Sequence, residues 1–95
     1  MLGFEPDNIK SRQVSFNPEL PKRFNAFTDH DILLITDLDS KNANIYKYNV
    51  NKQVFEVIAN LKISDPMTVA GISKNIDSSL SLFLNNGVVS TYLTQ

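Results

Sequence analysis

The fold is decided by the stretch Leu80-Ser81-Leu82-Phe83-Leu84-Asn85-Asn86-Gly87-Val88-Val89-Ser90-Thr91-Tyr92-Leu93. An apolar run and a second run rich in β-branched and aromatic residues flank Asn86-Gly87. This pair is preferred in two-residue hairpin turns because both positions accept a positive φ. The stretch therefore predicts two antiparallel strands joined by a tight turn.

Three segments before this hairpin also have the composition of strands. Residues 32–35 form a continuous apolar run, which indicates a strand that is covered on both of its faces. Residues 45–50 and residues 67–73 are rich in β-branched and aromatic or small residues, and turn-forming residues separate them from their neighbours. The middle of the chain is therefore predicted to be sheet.

The N-terminal third gives a weaker pattern. Residues 12–17 alternate, with Val14 and Phe16 on one face, and Pro18 ends the run, so a short strand is predicted there. Residues 19–31 contain one proline, Pro21, and several charges around two phenylalanines, and they are predicted to form a loop or one short helical turn.

Residues 54–63 fit two structures. Their apolar residues alternate with a period of two, as in a strand, yet Val54, Val57 and Leu61 also form a helical stripe with Asn51 as a possible N-cap. The high β-branched content and the turn sequence that follows, Ser64-Asp65-Pro66, favour the strand.

The two halves of the chain repeat the same order of strands. Residues 14–16 correspond to 69–72, residues 32–35 to 80–84, and residues 45–48 to 88–92, at offsets of 55, 48 and 43 residues. A repeat of this length with about four strands per unit is typical of propeller blades. We therefore divide the chain into an N-terminal arm and two blade-like units, which are residues 1–11, 12–64 and 65–95.

The sequence resembles the WD-type repeats of β-propellers over residues 12–93. Residues 14–18 are similar to the first strand of such a repeat, residues 44–54 to the third strand, the turn and the fourth strand, and residues 80–93 to the second and third strands. The Trp-Asp and Gly-His pairs of that family are absent, so the resemblance implies a propeller-like blade and no closer membership. The alternative is two unrelated hairpin units that share only a hydrophobic pattern.

This resemblance implies an all-β, antiparallel structure of about one and three-quarter blades. Propellers have about 4–8 blades, so other chains, or copies of this chain, are expected to complete the sheets. An unpaired final strand is a pairing hazard, and we expect another strand, from the N-terminal arm or elsewhere, to cover it. The candidates for contact with a partner are Leu34, Tyr46, Tyr48, Leu82, Val89 and Tyr92.

Composition excludes several classes of protein. The formal net charge of −1 lacks the basic excess of an electrostatic nucleic-acid binder. The chain has no cysteine and one histidine, so a disulfide scaffold, a thiolate zinc site and a cysteine nucleophile are excluded. The sequence contains no membrane-length apolar run, signal-peptide pattern or Asn-x-Ser/Thr acceptor, and an intracellular protein with no membrane partner is expected.

Few side chains suggest chemistry. His30 lies between Asp29 and Asp31, but sequence neighbours on an extended chain point apart, so a solvated loop is favoured over a general base. The oxygen-rich residues 37–44 fit a turn better than a calcium loop, because Lys41 stands where a ligand is needed. Tyr46, Tyr48 and Phe55 are expected to pack in the core or between blades rather than form an exposed aromatic recognition surface. We therefore predict a non-enzymatic interaction module without a cofactor.

A winged helix over residues 54–93 is the alternative. Residues 54–61, 68–76 and 78–86 would form helices and residues 88–93 the wing, making a small nucleic-acid-binding protein. The third of these, the recognition helix, would contain no Lys or Arg to contact phosphates or bases, which argues against this reading.

Overall fold

The chain is all-β, with seven strands in two antiparallel sheets, in a computed structural model that describes residues 13–92. Sheet 1 contains β1 to β4 and sheet 2 contains β5 to β7, each in sequence order. The predicted arm, residues 1–11, lies outside the described residues. No helix within residues 13–92 has the length and apolar character needed to cross a membrane. The strands are β1 Phe24–Asp29, β2 Ile32–Asp37, β3 Asn42–Asn49, β4 Val54–Lys62, β5 Val69–Lys74, β6 Leu80–Leu84 and β7 Val89–Tyr92.

The predicted strand at residues 12–17 is wrong for its described part, and the loop predicted for residues 19–31 is confirmed for residues 19–23 but wrong for residues 24–29. Residues 13–17 form no ladder, whereas β1 lies inside the predicted loop and pairs with β2 along its whole length. His30 makes the tight reversal between these strands with a φ of 55°. Strand β2 therefore has a hydrogen-bonded neighbour on each side, β1 and β3. The pattern of residues 19–31 alone does not reveal that they pair with β2.

Strand β2 is covered on both faces, as its continuous apolar run predicts. Leu34 is fully buried, and it lies opposite Phe27 of β1 and Ile45 of β3 on the inner face of sheet 1. On the outer face, Ile35 is also buried, and Pro21 of the preceding segment lines the same cleft. The segment before β1 therefore supplies part of the cover over the outer face of sheet 1.

Residues 54–62 are a strand, β4, so the strand interpretation of this segment is confirmed and the helical one is wrong. The register between β3 and β4 shifts between Ile45 and Tyr46, which gives β4 one extra residue, Ile58, in a β-bulge. The winged-helix alternative is wrong too, because β4, β5 and β6 stand where it requires three helices. The only helical turn between residues 54 and 92 is Pro66–Thr68, and Asp65 caps it.

The hairpin at residues 80–92 is confirmed, but its turn differs from the predicted one. The N–H of Leu84 donates to the Val88 carbonyl at 2.9 Å, and the N–H of Gly87 donates to the Leu84 carbonyl at 3.1 Å. The loop therefore contains Asn85, Asn86 and Gly87, and only Gly87 has a positive φ, of 90°. A turn closed by a left-handed glycine is the usual three-residue hairpin loop.

The hydrophobic core lies between the two sheets. Strands β2 and β3 contribute from sheet 1, and all three strands of sheet 2 have members in or against the core. Close backbone approach between the sheets occurs where β5 lies beside β1 and, to a smaller extent, β2. The fully or nearly buried members are Ile32, Leu34, Ala43, Ile45, Ile63, Val69, Ile72, Leu80 and Leu82.

Candidate functional site: the open edge of sheet 2

The last strands of the two sheets, β4 and β7, have different neighbours along their outer edges. In sheet 1 the last strand is β4, and the side chain of Asn17 lies against its outer edge. The N–H of Phe55 donates to Asn17 Oδ1 at 2.8 Å, and Asn17 Nδ2 donates to the Phe55 carbonyl at 3.3 Å. Phe16 anchors this segment by packing edge-on against Tyr46, with ring centroids 5.0 Å apart. An amide side chain thus replaces a neighbouring strand at this position.

In sheet 2 the last strand is β7, and no strand within residues 13–92 pairs with its outer edge. Leu84 and Val88 share a hydrogen bond, and antiparallel pairs alternate between bonded and non-bonded. Ser90 and Tyr92 therefore direct their backbone groups toward β6. Val89 and Thr91 each direct their backbone N–H and carbonyl away from β6, toward the unpaired side of β7.

Apolar side chains lie beside this open edge. Phe83 and Val89 are directly opposite each other on the outer face of sheet 2, and their exposed fractions are 39% and 52%. Val88 is 48% exposed at the end of the adjoining loop. We call Phe83, Val88, Val89, Thr91 and the outer backbone edge of β7 the β7 surface.

Apart from the shortness of β7, which has four residues, the β7 surface has none of the usual protections of an edge strand. Natural edge strands carry a lysine, a proline, an inward charge or a bulge, which prevent pairing with another chain. Residues 88–92 contain no charged residue and no proline, and the β6–β7 register runs without a shift. The arrangement is thus suited to accept a further strand through backbone hydrogen bonds.

The six predicted contact residues fall into three environments. Leu34 and Leu82 are 0% and 3% exposed, in the core between the chain's own sheets, so they have almost no surface left for another chain. Tyr46 is buried beneath Phe16, and the half-buried Tyr48 packs against Phe55 with centroids 5.0 Å apart.

The remaining two predicted contact residues, Val89 and Tyr92, lie on β7. Val89 is exposed on the β7 surface, whereas Tyr92 is half-buried and packs against the edge of the core. The structure therefore brings only Val89 and Tyr92 of the predicted set to the open edge.

The Asp29-His30-Asp31 triplet joins the two sheets. The N–H of Lys74, at the end of β5, donates to Asp29 Oδ2 at 2.7 Å, and Lys74 Nζ contacts Asp31 Oδ1 at 3.1 Å. His30 Nδ1 lies 3.2 Å from Asp29 Oδ1, and its ring is largely exposed. Both carboxylates are thus used to hold the β1–β2 turn against β5.

The Lys74 N–H lowers the pKa of Asp29 below its usual value of 3.8, because this hydrogen bond favours the charged carboxylate. Partial burial opposes the shift, and the hydrogen bond and charge of His30 add to it. The charged form of Asp29 is therefore the one that fits the folded structure.

The oxygen-rich segment at residues 37–44 forms a turn. Asp37 Oδ1 accepts hydrogen bonds from the N–H groups of Asp39 and Ser40, and the first of these lowers the pKa of the Asp37 carboxyl. Asp39 pairs with Arg23 at 3.2 Å. Within residues 13–92 no three His, Cys, Asp or Glu side chains are grouped as a metal site would require.

The sequence analysis did not identify two residues at the sheet edges, Asn17 beside β4 and Phe83 beside β7. Asn17 gives no local signal, because its partner Phe55 is 38 positions away. Phe83 could have been identified, since Leu80, Leu82 and Leu84 have the alternation of inward residues and Phe83 therefore points outward.

Comparison with known proteins adds no relative. No protein-family model, curated protein or solved structure matches the chain. Any function must therefore be argued from the geometry of the two sheets.

Proposed function

We propose that the protein is a non-enzymatic interaction module that contributes its sheets to a larger, propeller-like assembly by binding another polypeptide at the β7 surface. The observation that carries the proposal is the open fourth-strand position of sheet 2. Sheet 1 has four strands and sheet 2 has three, in the same meandering antiparallel order. The place that β4 takes beside β3 has no counterpart beside β7 within residues 13–92.

The chemistry of the surface supports a polypeptide partner. Val89 and Thr91 offer backbone donors and acceptors at strand spacing, and extended peptides bind sheet edges through such groups. Phe83 and Val89 add exposed apolar area next to them. The absence of charge along residues 88–92 removes the repulsion that protects most edges.

The propeller-like part of the proposal rests on the repeat and on the sheet order. Neighbouring blades of a propeller share apolar residues between their sheets, and the residues of one core that come from both sheets 1 and 2 support this part of the proposal. We place the assembly inside the cell, in keeping with a chain that has no cysteine and no glycosylation acceptor.

Site-specific photo-crosslinking in the cells that naturally make the protein tests this function. A benzophenone amino acid replaces Val89 on the β7 surface or, as the control, Val50, which is 61% exposed in the β3–β4 turn. We expect a discrete crosslinked polypeptide from position 89 and none from position 50. Equal crosslinking from both positions, or none from position 89, contradicts the proposal.

A further inference from the structure

The hairpin loop between β6 and β7 contains an asparagine followed by a glycine. Asn86 is the one asparagine of the eleven in the sequence that precedes a glycine, and both residues of the pair are exposed. The backbone nitrogen that follows an asparagine can attack the side-chain amide carbon, and a side chain on the following residue hinders this attack. Gly87 has no side chain, and apart from its two chain neighbours no heavy atom of residues 13–92 lies within 4 Å of where a Cβ would stand. The amide of Asn86 is therefore accessible to its own backbone.

A hydrogen bond holds the Asn86 side chain against this part of the backbone. The N–H of Val88 donates to Asn86 Oδ1 at 3.0 Å, and the ring that this bond closes contains the Gly87 nitrogen. The bond also draws electrons from the amide carbonyl, which makes Cγ a better electrophile. The Gly87 N–H donates to the Leu84 carbonyl at 3.1 Å, and this bond must open before the nitrogen reacts. Because the loop is exposed, we expect the opening to be local.

A second asparagine has the same turn hydrogen bond but a different neighbour. Asn49 Oδ1 accepts the N–H of the residue two positions further on, also at 3.0 Å. The residue that follows Asn49 is Val50, whose β-branched side chain crowds its backbone nitrogen. Further hydrogen bonds to the Lys52 N–H and to Glu56 hold the Asn49 amide in place. Asn49 is therefore an internal control that should react more slowly than Asn86 in the same molecule.

We infer that Asn86 of the folded protein converts spontaneously to aspartate and isoaspartate through a succinimide. The Gly87 nitrogen forms a bond to Asn86 Cγ and gives up its proton, through water, to the amide nitrogen, which leaves as ammonia. Water then opens the five-membered ring at one of its two carbonyl carbons. Opening at Cγ gives aspartate, and opening at the main-chain carbon gives isoaspartate, whose backbone runs through Cβ and Cγ. Water is the only co-reactant, and no group is oxidised or reduced.

The two products should affect the hairpin differently. Aspartate keeps an Oδ1 that accepts the Val88 N–H, so it changes the charge and leaves the backbone as it was. Isoaspartate adds one atom to the main chain inside the loop that Leu84 closes through its hydrogen bonds with Gly87 and Val88. We therefore expect isoaspartate, and not aspartate, to weaken these two hydrogen bonds.

The aspartate product places a negative charge beside the β7 surface. Asn86 Oδ1 lies 3.0 Å from the Val88 nitrogen, immediately before β7, and residues 88–92 carry no charge of their own. A charged side chain is one of the features that prevent edge strands from pairing. This consequence rests on the proposed function: conversion of Asn86 should weaken the binding of a polypeptide at the β7 surface as the protein ages.

Ageing of the full-length protein at mildly alkaline pH tests the inference. Peptide mapping by mass spectrometry follows the change from amide to acid at each asparagine, and chromatography separates aspartate from isoaspartate. We expect Asn86 to convert at least about tenfold faster than Asn49, with isoaspartate among the products. Asn86→Gln is the matched control, because its longer side chain would need a six-membered ring, and it should show no conversion at this position over the same time. Conversion of Asn86 no faster than that of Asn49, or aspartate without isoaspartate, overturns the inference.

Ageing in guanidinium chloride distinguishes reaction in the folded protein from reaction in its unfolded fraction. With a stability of about 5 kcal/mol or more, fewer than about one molecule in a thousand is unfolded in buffer. A reaction that needs global unfolding should therefore be about a thousandfold or more slower in buffer than in the denaturant. We expect Asn86 to react less than about a hundredfold more slowly in buffer, because only the loop must open, and a larger ratio overturns the inference.

Photo-crosslinking at position 89 separates this inference from the proposed function. Asn86→Asp should reduce the yield of the crosslinked polypeptide several-fold relative to the parent. If the parent and the variant crosslink equally, the effect on the β7 surface is wrong, whereas the conversion of Asn86 stands on the mass measurement. If the parent does not crosslink, the proposed function fails, and the mass measurement still decides whether Asn86 converts.

Discussion

The burial of Leu34 gives a prediction about which chain covers the core. Leu34 is fully buried between Phe27 and Ile45, and sheet 2 of the same chain lies over that face. Leu34→Ala removes three carbons and leaves a cavity that this small core fills only in part. The expected loss is about 3–4 kcal/mol in the free energy of unfolding, from a total of about 5–14 kcal/mol for a chain of this length.

Urea and thermal unfolding followed by far-UV circular dichroism measure this loss. The melting temperature of Leu34→Ala should fall by about 15 °C or more. Leu33→Ala is the matched control, because Leu33 neighbours Leu34 on β2 but lies half-buried on the other face. Its expected cost is about 1–2 kcal/mol.

The concentration dependence of these curves is the decisive part. Because Leu34 is covered by its own chain, the difference between the variant and the parent should not change over an approximately hundredfold range of protein concentration. A loss below about 1 kcal/mol, or a difference that changes with concentration, would refute the argument that the chain by itself covers Leu34.

Three further predictions concern turns, the β4 edge and acid stability. Gln53→Gly should stabilise the fold by about 1 kcal/mol, because Gln53 has a φ of 58°, a left-handed conformation that is costly for any residue other than glycine. Asn51→Gly in the same turn is the control and should not stabilise the fold. Chemical denaturation of the two variants measures the difference. Asn17→Ala should cost about 1–2 kcal/mol through its two hydrogen bonds to Phe55, and Asn17→Asp, which keeps only the acceptor, should not restore the parent's denaturation midpoint. The lowered pKa of Asp29 means that its stabilising effect is present above its usual value of 3.8 and is lost as the pH falls below it. Asp29→Asn should therefore flatten the fall of the melting temperature between about pH 5 and about pH 2, and an equally steep fall in the variant would contradict this assignment.

The local pattern of the sequence predicted most of the strands but not all of the pairing. Residues 32–35, 45–50 and 80–92 have a composition and turn residues strong enough to define strands, and the pattern of residues 54–63 favoured a strand over a helix. Strand β1 was missed because Asn25, Ala26 and Asp29 have little strand preference of their own, and pairing with β2 stabilises them there. Residues 13–17 show the reverse case, since they alternate like a strand yet Asn17 binds the edge of β4 through its side chain.

The candidate site was predicted only in part for a related reason. The sequence identified Val89 and Tyr92 and the hazard of an unpaired strand, because the uncharged β-rich run after the hairpin turn is visible in the residues alone. It could not separate them from Leu34 and Leu82, which look equally apolar. Only the packing of sheet 2 on sheet 1 shows that the latter two are already covered.

The amino-acid order by itself determined that this protein is built from antiparallel strands, where most of them lie and where the chain turns, since these depend on side-chain periodicity and on turn residues close together in the chain. The tertiary structure alone decided which faces the chain covers for itself and which edge has no neighbouring strand among residues 13–92. Tertiary contacts join residues far apart in sequence, such as Asn17 with Phe55 or Asp29 with Lys74, and no local pattern contains them.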